Sequence, residues 1–134
     1  MSHTKHGACL CGATRLTATV DNLEVNACHC SMCRTWAARP MLALPCTQPP
    51  SFEGAVPSVF RSSDWAERGF CGQCGTHLYY RLIAKNQYAL PVGLLKGDDW
   101  QFTMQIYVDE RPCWYCFSNQ TQDLTGEQVM QLFS

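Results

Sequence analysis

Ten cysteines stand among the 134 residues of this chain, and most of them come in tight groups. Cys9-Leu-Cys11 is the first, Cys28-His-Cys30-Ser-Met-Cys33 the second, and Cys71-Gly-Gln-Cys74 the third. Cysteines one position apart are poor disulfide partners for each other, because the bond demands a set Cα separation and torsion. The same closeness suits a metal ion, which gathers thiolates from a turn onto one centre. The opening Met-Ser-His-Thr-Lys-His-Gly has no apolar stretch of a secretory signal, so the expected compartment is the reducing cytoplasm, where disulfides rarely persist. Spacing therefore predicts zinc in place of a disulfide scaffold.

The groups divide unevenly. Cys9 and Cys11 with Cys71 and Cys74 make four thiolates from two loops, enough to close a tetrahedron, which is the mark of a structural zinc. Such a site staples an N-terminal strand to a distant turn, and Gly72 and Gly75 offer the conformations a chain needs to wrap a metal. Cys28, Cys30 and Cys33 are three thiolates in one short run. Three leave a fourth position for water or substrate, the feature that separates a catalytic, exchangeable zinc from a structural one. The alternative is a closed site completed by His29, His77, Cys46, Cys113 or Cys116. His29, between two candidate ligands, is expected to point away from the metal they share. Cys113-Trp-Tyr-Cys116 has the C-x-x-C spacing of a redox site, but that reading needs a helix start in a βαβ setting. Here the motif follows Pro112 and an alternating strand, so Cys113, Cys116 and Cys46 are expected to be packing thiols.

Composition narrows the class. The hydrophobic fraction of 46% can build a core, and 134 residues make one domain, 1–134. A net charge of -1 argues against a general nucleic-acid or anionic-membrane surface, and no apolar run approaches the ~20 residues that span a bilayer. The patterning is mainly β. Residues 14–20 and 23–28 alternate apolar and polar, with Asp21-Asn22 reading as a hairpin turn between them. Residues 76–83 alternate again, and 101–108 most cleanly, with Phe102, Met104, Ile106 and Val108 on one face. Residues 88–95 form a further strand, with Pro91 marking an edge or bulge, and 40–44 and 59–62 are weaker candidates. Residues 47–57, with three prolines and a glycine, read as the longest loop. Residues 34–38 read as a short helical turn. Thr125-Gly-Glu-Gln128 matches a capping box before a short C-terminal helix that presents Val129, Leu132 and Phe133.

Taken in order, Gly7-Ala-Cys9-Leu-Cys11-Gly12, Cys28-His-Cys30-Ser-Met-Cys33-Arg34, Gly69-Phe-Cys71-Gly-Gln-Cys74-Gly75-Thr-His77-Leu78 and Pro112-Cys-Trp114-Tyr115 resemble the glutathione-dependent formaldehyde-activating family, which includes centromere protein V. The resemblance implies a β-tent fold of small antiparallel sheets around a structural zinc. It puts that zinc on Cys9, Cys11, Cys71 and Cys74, and a second, looser zinc on Cys28, Cys30 and Cys33. The family's activity joins glutathione and formaldehyde as S-(hydroxymethyl)glutathione, a carbon–sulfur lyase reaction. Glutathione carries two carboxylates, which suit arginine forks, and Arg34 and Arg39 beside the second cluster are the candidates. Their alternative is as solvated surface charges. Trp36 walls the pocket or joins the core. Asp64, Glu67, Asp109 and Glu110 are candidate proton carriers that spacing does not rank, and His77 is expected to be a packing or hydrogen-bonding residue. The stretch Thr35-Trp-Ala-Ala-Arg-Pro40 is bulkier than the family's usual small residues, which allows a thiol other than glutathione. Two further readings stand beside the lyase: a non-catalytic zinc module that carries glutathione or binds a protein, and a thiolate store or sensor of metal.

Overall fold

The computed structural model describes residues 2–132. In chain order it runs β1 (His3–Ala8), β2 (Thr14–Val20), β3 (Glu24–Cys28), α1 (Ser31–Ala37), β4 (Met41–Cys46), β5 (Ser51–Gly54), β6 (Ser58–Phe60), β7 (Ala66–Phe70), β8 (His77–Leu82), β9 (Gln87–Pro91), β10 (Gln101–Ile106), β11 (Gln122–Leu124) and α2 (Gly126–Leu132). The architecture is mainly β, and the chain divides into two compact units.

The first unit comprises Met1–Leu23 and Leu44–Asp99. Here β1 and β2 form an antiparallel hairpin running from His3↔Val20 to Ala8↔Arg15, and β5 pairs antiparallel with the other edge of β2. The alternation of β2 is the cause, since Thr14, Leu16, Ala18 and Val20 are all buried and the residues between are not. β5 lies within the segment expected to be a long loop; pairing with β2 gives its backbone groups partners that the prolines around it cannot supply. Strands β6, β7, β8 and β9 make an antiparallel meander. β9 ends at Pro91, where a 3-10 turn over Val92–Leu94 begins, so the strand expected over 88–95 is shorter than its pattern. Leu44, Leu78 and Leu90 are among the largest fully buried side chains.

The second unit comprises Glu24–Ala43 and Trp100–Ser134. Its strand order is β11-β10-β3-β4, with β3 antiparallel to β4 and β10 parallel to both β3 and β11. The hairpin expected at Asp21-Asn22 is not formed: β2 pairs with β1 and β5, and β3 pairs with β4 and β10. Two alternating strands and a polar turn predict adjacency only while no other strand competes for either edge.

β10 departs from its pattern in a second way. A register shift between Phe102 and Met104 interrupts the alternation, and the residue sealed from solvent is Gln105, 2% exposed. A buried amide is tolerable only when hydrogen-bonded, and Gln105 has partners at both ends, described below. Val108 is not in the strand at all, because Tyr107 turns left-handed (φ 55) and starts a 3-10 turn over Val108–Glu110. At the C-terminus the capping box is formed as expected. Gln128 N donates to Thr125 Oγ1 at 3.2 Å, and Thr125 N donates to Gln128 Oε1 at 2.8 Å. Val129 is buried on that helix and Leu132 is exposed, while Phe133 lies outside the described residues.

Candidate metal centres

The two loops of the first unit that carry cysteines are built alike. After β1, Cys9 N donates to Thr14 O at 3.0 Å and Gly12 N to Cys9 O at 3.0 Å. After β7, Cys71 N donates to Thr76 O at 2.9 Å and Gly75 N to Cys71 O at 2.8 Å. Gly12 (φ 78) and Gly75 (φ 81) are left-handed, and a Cβ at either would meet nothing within 4 Å, so backbone conformation and not space demands glycine. Gly72, expected to share that role, is set apart by the Ser58 hydroxyl that a Cβ there would meet. Each loop also turns an amide onto sulfur: Thr14 N onto Cys9 Sγ at 3.3 Å, and Gln73 N onto Cys71 Sγ at 3.4 Å. Leu10 N donates to Thr76 Oγ1 at 3.0 Å, tying one loop to the other.

These loops bring the sulfurs of Cys9, Cys11, Cys71 and Cys74 within 4.8 Å of one another. Cys9 and Cys11 are 3.6 Å apart and Cys11 and Cys71 3.7 Å. A tetrahedral thiolate centre with metal–sulfur bonds of about 2.3 Å has sulfur–sulfur edges of about 3.8 Å, so the set fits such a metal, zinc included. The thiols do not ionise alike. The Thr76 hydroxyl, with its amide, brings Cys74 down to about 5. Cys11, although the Ala13 amide lowers it, is pushed up to about 12 by Cys9, burial and Cys74. Crowded thiols resist ionising one after another, and a divalent cation removes that resistance by balancing their charge.

The second cluster lies in the other unit, at the junction of β3 and α1. Cys28 is the last residue of β3, Cys30 is the N-cap of α1, and Cys33 is buried in its first turn. Cys30 acts as a serine would at an N-cap: its Sγ accepts from Cys33 N at 3.4 Å. The three sulfurs lie within 4.8 Å of one another, and among the described residues no fourth His, Cys, Asp or Glu joins the group. The neighbouring Cys30 and Cys33 thiols, and then burial, push Cys28 well up from the usual thiol range. Such a set suits a metal with a fourth position left to another ligand.

His29 is fully buried and faces away from the sulfurs, as expected. Its Nδ1 lies 2.6 Å from the Tyr115 hydroxyl and its Nε2 lies 2.8 Å from Gln105 Oε1. Arg111 also donates to that Oε1 at 3.4 Å, while Gln105 Nε2 donates to Thr121 Oγ1 at 2.9 Å. An oxygen that accepts from a guanidinium can only accept from the imidazole, so His29 carries its proton on Nε2 and accepts a hydrogen bond from the Tyr115 hydroxyl at Nδ1. Burial, first among several causes, lowers the pKa of His29 and keeps the ring neutral. The main chain is held as well: His29 N donates to Ile106 O at 3.1 Å, and His29 O accepts from Arg34 Nε at 2.9 Å. Ser31 N donates to Glu110 Oε1 at 3.0 Å. His29 and Ser31, between the cluster cysteines, are thus each held by hydrogen bonds.

Sequence reasoning missed this network. Gln105 was hidden by an alternation that reads it as solvent-facing, and Tyr115 by a motif that draws the eye to its cysteines. Of the four carboxylates, Glu110 caps the cysteine helix, Asp109 accepts from Gly126 N at 2.8 Å, Glu67 pairs with Arg81 at 3.1 Å, and Asp64 is exposed. His77 bonds the Tyr79 carbonyl at 2.9 Å, the hydrogen-bonding role expected of it. Cys46 is a buried packing thiol that donates to Gln48 O at 2.9 Å. Cys113 and Cys116 are not packing thiols: both are exposed, on a turn and irregular segment that buries neither.

An open hollow of about 150 Å³ adjoins α1, lined by Arg34, Thr35, Ala38, Arg39, Pro40 and Trp114. Both candidate arginines border it. Its aromatic wall is Trp114, 74% exposed, and not Trp36.

Comparison with known proteins identifies the family. The profile of the family described as glutathione-dependent formaldehyde-activating enzyme matches residues 4–110. An uncharacterized lyase of Schizosaccharomyces pombe is 39% identical over 128 residues, covering 93% of each chain. The chain belongs to the glutathione-dependent formaldehyde-activating enzyme family. Its fold matches the crystal structure of a Rhodobacter sphaeroides protein with a TM-score of 0.60 at 21% identity, over 70% of this chain and 90% of that one.

Proposed function

We propose that this protein is a zinc-dependent carbon–sulfur lyase that joins a carboxylate-bearing thiol, glutathione first, to a small aldehyde such as formaldehyde. The lyase role is supported by the family and by the name of the yeast relative. The observation that carries the reading is the three-thiol cluster on the same short segment, residues 28–40, as both arginines of the hollow. Cys9, Cys11, Cys71 and Cys74 hold a structural zinc, and Cys28, Cys30 and Cys33 hold the reactive one. Zinc bound by the latter three supplies Lewis acidity and favours the thiolate form of a thiol.

In the reaction the substrate sulfur adds to the carbonyl carbon, the carbonyl π pair moves to oxygen, and the thiol proton ends on that oxygen. No electrons are gained or lost. Arg34 and Arg39 hold the substrate carboxylates, which turns a bimolecular encounter into an oriented one. Trp114 covers the thiol's carbon chain. His29, neutral and locked between Tyr115 and Gln105, keeps the Cys28–Cys30 backbone in one shape while charge shifts beside it. Burial, and then the charges of Cys28 and Cys30, raise the pKa of Tyr107, so its phenol stays protonated next to the cluster.

Exchange NMR on a glutathione–formaldehyde mixture tests the reading. Zinc-loaded protein is expected to speed interconversion with the adduct, and a folded Cys30→Ser variant to leave it at the uncatalysed rate. Equal rates with both proteins would sink it. A second reading is a carrier that binds the thiol in the same hollow, about 150 Å³ and open to solvent, without turnover. Binding of glutathione without faster exchange would select the carrier.

A further inference from the structure

Cys113 and Cys116 are left unused by the reaction above, yet both residues between them serve the second unit. Trp114 walls the hollow with Arg34 and Arg39, and the Tyr115 hydroxyl bonds the buried His29 that sits between two cluster cysteines. The two cysteines that flank them are exposed free thiols three positions apart. Cys113 and Trp114 form a turn and residues 115–118 lie outside any helix or strand, so no ladder or helical bond of these four residues must break for the segment to change path. Exposure makes both sulfurs accessible to an incoming disulfide, and C-x-x-C spacing lets the second resolve what the first has captured; the helix start of a thioredoxin-like site, absent here, speeds the attack but exchange itself does not require it.

We propose that Cys113 and Cys116 form a thiol–disulfide exchange site for disulfides of small carboxylate-bearing thiols, docked through Arg34, Arg39 and Trp114. The docking half of this assignment rests on the reading of the hollow given above. One cysteine thiolate attacks a sulfur of the small disulfide, forming a mixed disulfide and releasing one small thiolate. The second cysteine, as thiolate, attacks the protein-side sulfur and releases the other small thiolate. The protein dithiol loses two electrons and two protons to become a disulfide, and the small disulfide gains them as two thiols. Closing the pair redirects the chain at Trp114 and Tyr115, so the oxidised form has a different hollow and a different hold on His29.

The test uses zinc-loaded protein, glutathione disulfide as the probe, and cystamine, a disulfide carrying amines in place of carboxylates, as its counterpart. Mass spectrometry of the intact protein and of its peptides is expected to show a Cys113–Cys116 disulfide in the wild type. The Cys113→Ser and Cys116→Ser variants are each expected to stop at a mixed disulfide on the remaining cysteine. Glutathione disulfide is expected to react about tenfold faster than cystamine, and Arg39→Gln to lower the glutathione disulfide rate toward that of cystamine. Reaction no faster than in the Cys113→Ser/Cys116→Ser double variant would overturn the exchange site. Equal rates for the two disulfides would overturn the assigned class of substrate. Neither readout depends on aldehyde turnover, so failure of the lyase reading leaves this result unaltered, and the reverse also holds.

Discussion

His29 shows what one side chain does here that no motif records. It bonds Tyr115 and Gln105 at once, 2.6 and 2.8 Å away, and shares the Gln105 oxygen with Arg111. Replacing it with phenylalanine, which fills the space but bonds nothing, is expected to cost about 1–3 kcal/mol in urea unfolding, from the hydrogen bonds lost by the half-buried Tyr115 hydroxyl and by the buried Gln105, whose oxygen keeps only Arg111. The pH dependence has a definite sign. The folded pKa is lowered, so the unfolded chain binds the extra proton first, and stability is full above the unfolded value of about 6.5 and lost as pH falls below it. The difference between wild type and His29→Phe is therefore expected to be constant above about pH 6.5 and to shrink below it. A difference that grows on acidification would show that the ring is held as a cation instead. The residue's burial was half legible: its place between two ligands said where it does not point, and nothing local said what it touches.

Among the elements, α2 is the one whose signal and structure coincide in detail. A seven-residue helix is too short to persist on propensity, so its start must be paid for by the cap and its one buried apolar contact, Val129. Thr125→Ala is expected to lower stability by about 1 kcal/mol and Gln128→Ala by a similar amount. Because the two side chains bond each other's backbone, their double variant is expected to cost less than the sum, and urea midpoints of the four proteins would show it. A cost of zero for Thr125→Ala would mean that Asp109, on Gly126 N, holds the helix start alone. Capping was readable because its residues are three apart. β3 and β10 are different: their parallel register joins segments about 77 positions apart, from Gln101 with Glu24 to Ile106 with Cys28, and no local pattern encodes such a partner.

For the whole molecule, the prediction concerns metal. Two zinc equivalents are expected in the wild type, of unequal consequence. Cys71→Ser removes one thiol of the four-thiol cluster on which the β1–β2 and β7–β8 connections converge, and is expected to unfold the first unit. The loss can reach on the order of 10 kcal/mol, the scale of a structural zinc site. Cys30→Ser is expected to keep the fold and one tight equivalent, with the second lost first to a chelator. Elemental analysis with far- and near-ultraviolet circular dichroism checks both, and equal unfolding of the two variants would overturn the division of roles. Among the described residues no helix is long and apolar enough to cross a membrane.

Spacing by itself set apart Cys9 with Cys11, Cys71 with Cys74, and Cys28 with Cys30 and Cys33, because each group is a single turn; that the first two meet across 60 positions is decided by the fold. The same locality made β2, β10 and the cap of α2 readable, since a period of two or a pair three residues apart is set by the backbone itself. Tertiary structure alone decided which strand edges meet, that Gln105 is the sealed face of β10, and that Tyr115 reaches His29 across 86 positions. It also chose Trp114 over Trp36 as the wall of the hollow and left Cys113 and Cys116 in solvent. Each of these depends on chain segments brought together from far apart, and competition among such segments is settled by packing and hydrogen-bond satisfaction over the folded unit, quantities that no short window of sequence contains.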